Sequence, residues 1–373
     1  MKIVQQLIHQ GHHVYITGIS ALERYAGADC SGVVNIATDA DIVALSSLFD
    51  EVSFPSIEDA DILIKDRREG LAYYVKSLEH HNRLYGRLRH TTFWFDCTKK
   101  SYKDPYGIYW DLRNPGILEI PEYSSHRKLH SWHLIGDAAI LVSRFRFTLD
   151  EAGFDQLVTF AQADAPLMSA SEQQMLLMRV LDSAYPAKGL RLLMDCGFIR
   201  RHWNVLAAMK GVEQSKEYHP EGDVWEHTLQ TFSHVKERDT AVLLALLLHD
   251  TGKAFAAPKG KNTFDQHAQI GSRKAGQFLR SLGFSQGLVD DVEFLVRNHM
   301  LPSLLVQLPV YRLERSINSP LFPQLLEVFR CDVSSTFRGL DTYYHACEIY
   351  RKYLRHKKNP YRNSDGTRRL QYG

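Results

Sequence analysis

His227, His249, Asp250, His267, His299 and Asp332 are the side chains of this 373-residue sequence whose types and settings can do chemistry. Imidazole is the commonest metal ligand and an acid–base group near neutral pH. A single His-Asp pair says little. With 18 histidines and 43 acidic residues, chance alone gives about two such neighbours. The settings say more. His249-Asp250 follows the apolar run Ala241–Leu248, and His299 follows Glu293-Phe294-Leu295-Val296 closely. Burying an imidazole or a carboxylate is costly unless it is paired or bound to a metal. Several such residues, each at a helix end or beside a long apolar stretch, can converge inside an all-helical domain.

The elements that must position them read as helices. The segment His219–Thr228 (HPEGDVWEHT) opens one, since Pro and acidic residues suit a helix start, and His227 sits in its early turns. Ala241–Leu248 reads as a buried helix that delivers His249-Asp250 at its C-terminal end, where Thr251-Gly252-Lys253 breaks it. His267 starts another helical stretch, His299 ends a further one, and Asp332 sits in FRCDVSST. Leu141, Phe145 and Leu149 recur at spacing four, and Met175, Leu176, Val180 and Leu181 also follow helical spacing. The chain from about Ser131 to residue 355 is therefore expected to be helical. The first third reads as α/β. A short helix is expected over 1–10, with strands at His13–Thr17, Ile36–Leu45, Ile62–Lys65 and His90–Thr98. Asp104-Pro105-Tyr106-Gly107 is a turn signal that would return Ile108–Leu112 as a hairpin partner.

Composition bounds the rest. Lys and Arg number 45 against 43 Asp and Glu, so a formal charge of +2 excludes a strongly basic nucleic-acid coat. Local basic runs remain in Arg83–Arg89, Lys99–Lys103 and Lys357–Arg369, as RNA contacts or as solvated surface. At roughly 100–200 residues per domain, two or three domains are expected. The five cysteines (Cys30, Cys97, Cys196, Cys331, Cys347) are odd in number and form no close pair. That argues for a reducing compartment and against a disulfide framework or a zinc ribbon. Ala241–Leu248 is too short to span a bilayer, and the N-terminus lacks the unbroken apolar stretch of a signal peptide. A soluble cytoplasmic protein with no membrane partner is expected.

The order His227, His249-Asp250, His267, His299, Asp332, together with the HDTGK and HPEGDVWEHT strings, resembles the HD superfamily of metal-dependent phosphohydrolases. The resemblance implies that His227, His249, Asp250 and Asp332 hold one divalent ion. It implies that Asp250 bridges to a second ion held by His267 and His299. Such ligands suit Mn, Fe, Co, Ni or Zn better than Ca, with Mg also in range. The implied chemistry is attack on phosphorus by a metal-activated water, with Asp250 and Lys253 as catalytic residues. Lys253 either contacts the phosphate or caps the helix end; His219 is local structure or a substrate contact.

The resemblance narrows further. HPEGDVWEHT, Tyr185–Leu193 with Cys196-Gly197-Phe198, Ile135-Gly136-Asp137, Ser143–Phe147, and Tyr102–Gly107 with Asp111-Leu112 resemble the bacterial tRNA nucleotidyltransferase (CCA-adding enzyme) and poly(A) polymerase family. The resemblance runs to about residue 345. It implies an α+β protein with a small mixed α/β nucleotidyltransferase-like head (1–125) followed by an all-α neck and RNA-binding-like region (126–200). An all-α HD domain (201–355) and a basic tail (356–373) complete it. A nucleotide or tRNA-like RNA is the implied substrate.

The head departs from the family pattern. A Gly-Gly turn followed by an Arg-Asp pair here reads Thr17-Gly18 and then Ala21-Leu22. Asp39 and Asp41 stand at the positions of two Mg-binding carboxylates, whose spacing on a strand would put both on one face. An acidic strand end at the surface is the other reading. In RLRHTTFWF only Arg89 and Thr92 match, and Trp94 occupies an asparagine position. Neck arginines that read the base are replaced by Ile140 and Ser143, leaving Arg146 as an RNA or phosphate contact. No isoleucine replaces a planar bidentate donor. The expectation is that the HD domain is the working site, a phosphatase or 2′,3′-cyclic phosphodiesterase on nucleotides or RNA ends. The alternatives are an active RNA nucleotidyltransferase using Asp39 and Asp41, and an RNA-binding protein with a structural metal.

Overall fold

The computed structural model describes residues 1–28, 32–55, 57, 60–66, 68–78, 87–114, 116–123, 130–214, 222–256, 266–337 and 339–357. Cys30, Arg83, His219 and the tail beyond Lys357 lie outside the described residues. The chain divides into two compact units, Met1–His202 and Trp203–Gly373.

The first unit opens with α1 (Lys2–His9), β1 (Val14–Thr17) and α2 (Gly18–Ala26), then β2 (Val33–Thr38) and α3 (Ile42–Leu48). Strands β3 (Val52–Ser53), β4 (Ile62–Asp66), β5 (Leu71–Ser77), β6 (Trp94–Asp96) and β7 (Ser101–Lys103) follow, then α4 (Ile108–Arg113). The sheet order is β3-β4-β5-β2-β1-β6-β7. Among the described strands only β2 and β5 pair in parallel, with Val34 opposite Tyr73 and Ile36 opposite Val75. Helices α5 (Ser131–Phe145), α6 (Glu151–Gln162), α7 (Ala170–Leu181), α8 (Pro186–Asp195) and α9 (Phe198–His202) complete the unit.

Three sequence expectations are corrected here. Ile36–Leu45 is not one strand, because the Asp41 carboxylate accepts the Ala44 N–H (2.7 Å) and starts α3. An N-cap of this kind is worth about 1 kcal/mol, enough to end a short strand. Ile108–Leu112 is helical for a similar reason: Asp104 accepts from the N–H groups of Ile108 (2.8 Å) and Tyr109 (2.9 Å). The hairpin forms instead between β6 and β7, where Asp96 accepts from the N–H groups of Thr98 and Lys99. Finally, of His90–Thr98 only Trp94–Asp96 is strand, since Arg89–Thr91 is a 3-10 turn. Strand β5 was not anticipated; Tyr73, Tyr74 and Val75 are all buried, so no alternation marks it.

Helices of this unit are tied to one another and to its sheet through buried charge. Glu23 of α2 meets Arg144 of α5 at 2.6 Å. Arg179 of α7 donates to Asn35 Oδ1 of β2 (2.6 Å) and to Ser20 Oγ (3.2 Å).

The second unit is helical among its described residues: α10 (Asn204–Ala207), α11 (Val224–Thr231), α12 (Thr240–Leu248), α13 (His267–Ser281), α14 (Gln286–Asn298), α15 (Leu301–Leu304), α16 (Val310–Ile317), α17 (Phe322–Ser334) and α18 (Asp341–Lys357). Helix α12 is its axis. Every residue from Ala241 to Leu248 is buried, and α12 packs on α14 and α17. Each leucine fully buried there contributes roughly 1.5–3 kcal/mol, which offsets the cost of the polar groups it carries at its end. No helix among the described residues is long and apolar enough to cross a membrane. The four described cysteines are free.

Candidate metal centre

Helix ends deliver the six side chains. Asp223 caps α11, accepting from Glu226 N–H (3.1 Å), and sets His227 one turn in. Asp239 caps α12 in the same way through Val242 N–H, and the apolar run then carries His249 and Asp250 past its last turn. His267 is the first residue of α13, His299 caps the C-terminus of α14, and Asp332 lies in the last turn of α17.

Gly252 is what lets α13 approach. A Cβ there would fall 1.9 Å from His267 O and 2.6 Å from Gly271 N, both backbone atoms. The first turn of α13 therefore lies directly on the Thr251–Ala254 turn, which brings His267 over Asp250. Thr251 Oγ1 donates to Leu248 O (2.8 Å), satisfying one of the carbonyls that the end of α12 leaves open.

The six side chains form two trios, His227, His249 and Asp332, and Asp250, His267 and His299. His227 Nε2 lies 3.0 Å from Asp332 Oδ1, and His249 Nε2 lies 3.3 Å from Asp250 Oδ2. Asp250 faces both trios. Its Oδ2 is 3.9 Å from His227 Nε2, while its Oδ1 is 3.8 Å from His267 Nε2 and 3.9 Å from His299 Nε2. Such separations suit atoms surrounding an ion with bonds of about 2.0–2.2 Å.

The imidazoles are held with Nε2 inward. His249 Nδ1 donates to Leu246 O (2.8 Å) and His299 Nδ1 to Val296 O (2.7 Å). A carbonyl only accepts, so the proton sits on Nδ1 and Nε2 keeps its lone pair. The Ser335 hydroxyl donates to Asp332 O (2.6 Å) and so receives His227 Nδ1–H at 3.3 Å. Among the described residues His249 Nε2 is buried with no hydrogen-bond partner, and the Nε2 atoms of His267 and His299 face each other at 3.3 Å. Lone pairs and carboxylate oxygens crowded together this way call for a cation.

The charge states agree. Burial, then the neighbouring His249, pushes His299 down to about 4, so it is neutral at pH 7. Burial would raise Asp250, but Lys253 and then His249 hold its carboxyl well below the usual carboxylate range. Burial would likewise raise Asp332, but the His227 contact and then His249 hold it low. Both acids are therefore anionic. The Lys253 ammonium donates to Asp250 Oδ2 (2.7 Å) and to Gln214 Oε1 (2.5 Å). His267, Lys253 and Asp332 keep 12–17 % of their side chains exposed while His227, His249, His299 and Asp250 keep 2 % or less. The open side of the site is therefore at the first three.

The head residues fare differently. Gly18 opens α2 at φ +57°, and its N–H donates to Phe93 O (2.8 Å). Asp39 and Asp41 do not share a strand face, because β2 ends at Thr38. Asp39 accepts from His13 N–H (2.9 Å) and contacts the Nδ1 atoms of His13 (2.8 Å) and His12 (3.3 Å), while Asp41 is the N-cap of α3. Arg89 donates to both oxygens of Glu119 (2.7 and 2.8 Å). Arg146 lies over the Tyr185 ring, 5.0 Å from its centroid, and donates to the Tyr185 hydroxyl. Sequence reasoning missed Gln214 and Ser335. Ser335 follows Asp332 by three, one helical turn, a spacing that was legible. Gln214 meets Lys253 across 39 residues and carries no local signal.

Residues 223–318 match the HD domain family. The CC-adding tRNA nucleotidyltransferase of Thermus thermophilus is 32% identical over 212 residues, 54% of this chain and 47% of that protein. The Multifunctional CCA protein of Nitrosococcus oceani is 33% identical over 159 residues, 41% of this chain and 37% of its own length. The chain thus spans less than half the length of these curated relatives. The crystal structure of the Bacillus stearothermophilus CCA-adding enzyme in complex with CTP overlays 95% of this chain and 81% of its own, with a TM-score of 0.51 at 19% identity. At that identity the likeness is one of fold. Residues 223–318 are thus similar to HD domains, parts of the chain are similar in sequence to CCA-adding tRNA nucleotidyltransferases, and its fold is similar to that of the solved CCA-adding enzyme.

Proposed function

We propose that the HD domain is a two-metal phosphohydrolase acting on nucleotides or RNA ends, hydrolysing phosphomonoesters or 2′,3′-cyclic phosphodiesters. The observation that supports it is the convergence of acceptor atoms: the carboxylates of buried Asp250 and half-buried Asp332 and four imidazole Nε2 atoms, of which His249 Nε2 has no hydrogen-bond partner among the described residues. His227, His249 and Asp332 would hold one ion, and His267 and His299 a second, with Asp250 serving both. Bound divalent ions supply Lewis acidity and activated water for attack on phosphorus. The chain's own groups prepare the site. Leu246 O and Val296 O fix the tautomers of His249 and His299, so neither ring must reorient during turnover. Helix α12 walls the site with apolar side chains, which strengthens every electrostatic interaction inside. Lys253 places a cation at the open side, where an incoming phosphate meets it. A nucleotide or RNA partner and a reducing, cytoplasmic setting belong to the same proposal.

The test is phosphate release from nucleoside monophosphates and 2′,3′-cyclic nucleotides by protein loaded with Mn²⁺, Ni²⁺ or Mg²⁺. Turnover is expected, and it should be lost in His249→Ala and Asp250→Ala. Absence of turnover, or equal turnover in the variants, refutes the proposal.

Nucleotide addition by the head is the second reading, supported by the names of the curated relatives. The N-cap role of Asp41 weighs against it. Labelled CTP or ATP incorporation into tRNA that disappears in Asp41→Ala would establish this reading. The capping role predicts no incorporation, and a loss of about 1 kcal/mol of stability in that variant.

A further inference from the structure

Gln214 stands outside the six-residue set, yet its buried side chain closes one edge of it. Its N–H donates to Gly222 O (2.8 Å), and Glu213 forms a β-bridge with Asp223, the N-cap of α11. Gln214 is thereby registered to the helix that carries His227. Its Oε1 accepts from Lys253 Nζ at 2.5 Å, and the same ammonium donates to Asp250 Oδ2 at 2.7 Å. An ammonium only donates, so the amide must turn its oxygen toward Lys253. That orientation leaves Gln214 Nε2 buried with no hydrogen-bond partner among the described residues.

We propose that Gln214 is a positioning residue that holds the Lys253 ammonium at the open side of the site, with its third N–H directed to a phosphate oxygen. A neutral acceptor is what this role requires. A second carboxylate beside Lys253 would cancel its charge, and an apolar residue would let the ammonium collapse fully onto Asp250. The amide holds the position without neutralising the cation. The ligand class is a phosphate mono- or diester anion, with inorganic phosphate as its simplest member. The inference rests on the phosphohydrolase reading of the same site.

The experiment is calorimetric titration of the metal-loaded full chain with inorganic phosphate, with metal content and thermal stability measured in parallel. Gln214→Glu is isosteric and keeps an acceptor for Lys253. It should retain metal and stability but bind phosphate at least about tenfold more weakly, the effect of losing one charge-assisted hydrogen bond. Gln214→Ala should also weaken binding. For any phosphoester that the wild type turns over, KM should rise by more than kcat falls in Gln214→Glu. Unchanged phosphate affinity in both variants overturns the role, as do losses confined to stability and metal content. A wild type that binds no phosphate overturns it too. Phosphate binding that depends on Gln214, in a chain that hydrolyses no phosphoester, would keep the positioning role and remove the phosphohydrolase reading.

Discussion

Three of the four imidazoles in the candidate metal centre, His227, His249 and His299, are fixed by what the other nitrogen touches. For His249 and His299 that is a carbonyl three residues back, which any helix end provides. For His227 it is a side chain, the Ser335 hydroxyl at 3.3 Å, whose own proton is committed to Asp332 O. Removing that hydroxyl frees the ring to rotate and to change tautomer. Ser335→Ala should weaken metal affinity by about 10–100-fold, read by competition with a chelator of known affinity. Affinity equal to wild type would show that α11 and α17 alone hold the ring. The six principal residues were legible because buried polar groups beside apolar runs need a reason. Asp39 and Asp41 were misplaced because their identities fit a strand face and an N-cap equally well. Only the Asp41–Ala44 hydrogen bond, which local sequence does not reveal, decides between them.

Among the elements, α12 and the turn after it carry the site. The unbroken apolar composition of α12 announced a buried helix, and Asp239 and Thr251 mark its ends. Gly252 looked like a helix breaker, and its actual constraint is the backbone of α13. Gly252→Ala should cost about 1–3 kcal/mol through overpacking and should displace His267 from Asp250. Gly287, in the first turn of α14, is the control: a Cβ there meets nothing within 4 Å. Gly287→Ala should stabilise by about 0.4–1 kcal/mol through the unfolded chain. Chemical denaturation of both variants checks the pair, and a neutral Gly252→Ala would mean that α13 is not seated on that turn. Elsewhere, elements were misread where a carboxylate takes local control. Asp104 turned an expected hairpin strand into α4, and Asp96 built the true hairpin seven residues earlier than the Asp104-Pro105 signal implied.

At the scale of the molecule, the helical character of the chain beyond residue 131 followed from its periodicity, and the mixed sheet of the first unit followed only in outline. The pairing of β2 with β5 joins segments with little alternation, so nothing local specified it. The buried Glu23–Arg144 pair and the Arg179–Asn35 bond draw on residues more than 100 positions apart, so no local pattern marks them. The near-neutral charge balance suits the proposed role, in which phosphate would be handled through a bound metal and one positioned lysine. The proposed function requires two ions, one at each trio. The direct measurement is phosphate release from a responsive nucleotide while metal-free protein is titrated with Mn²⁺, with bound metal counted at each point. The two trios predict that activity rises with the second ion and levels off near two per chain. Full activity at one ion, or none at two, would contradict it.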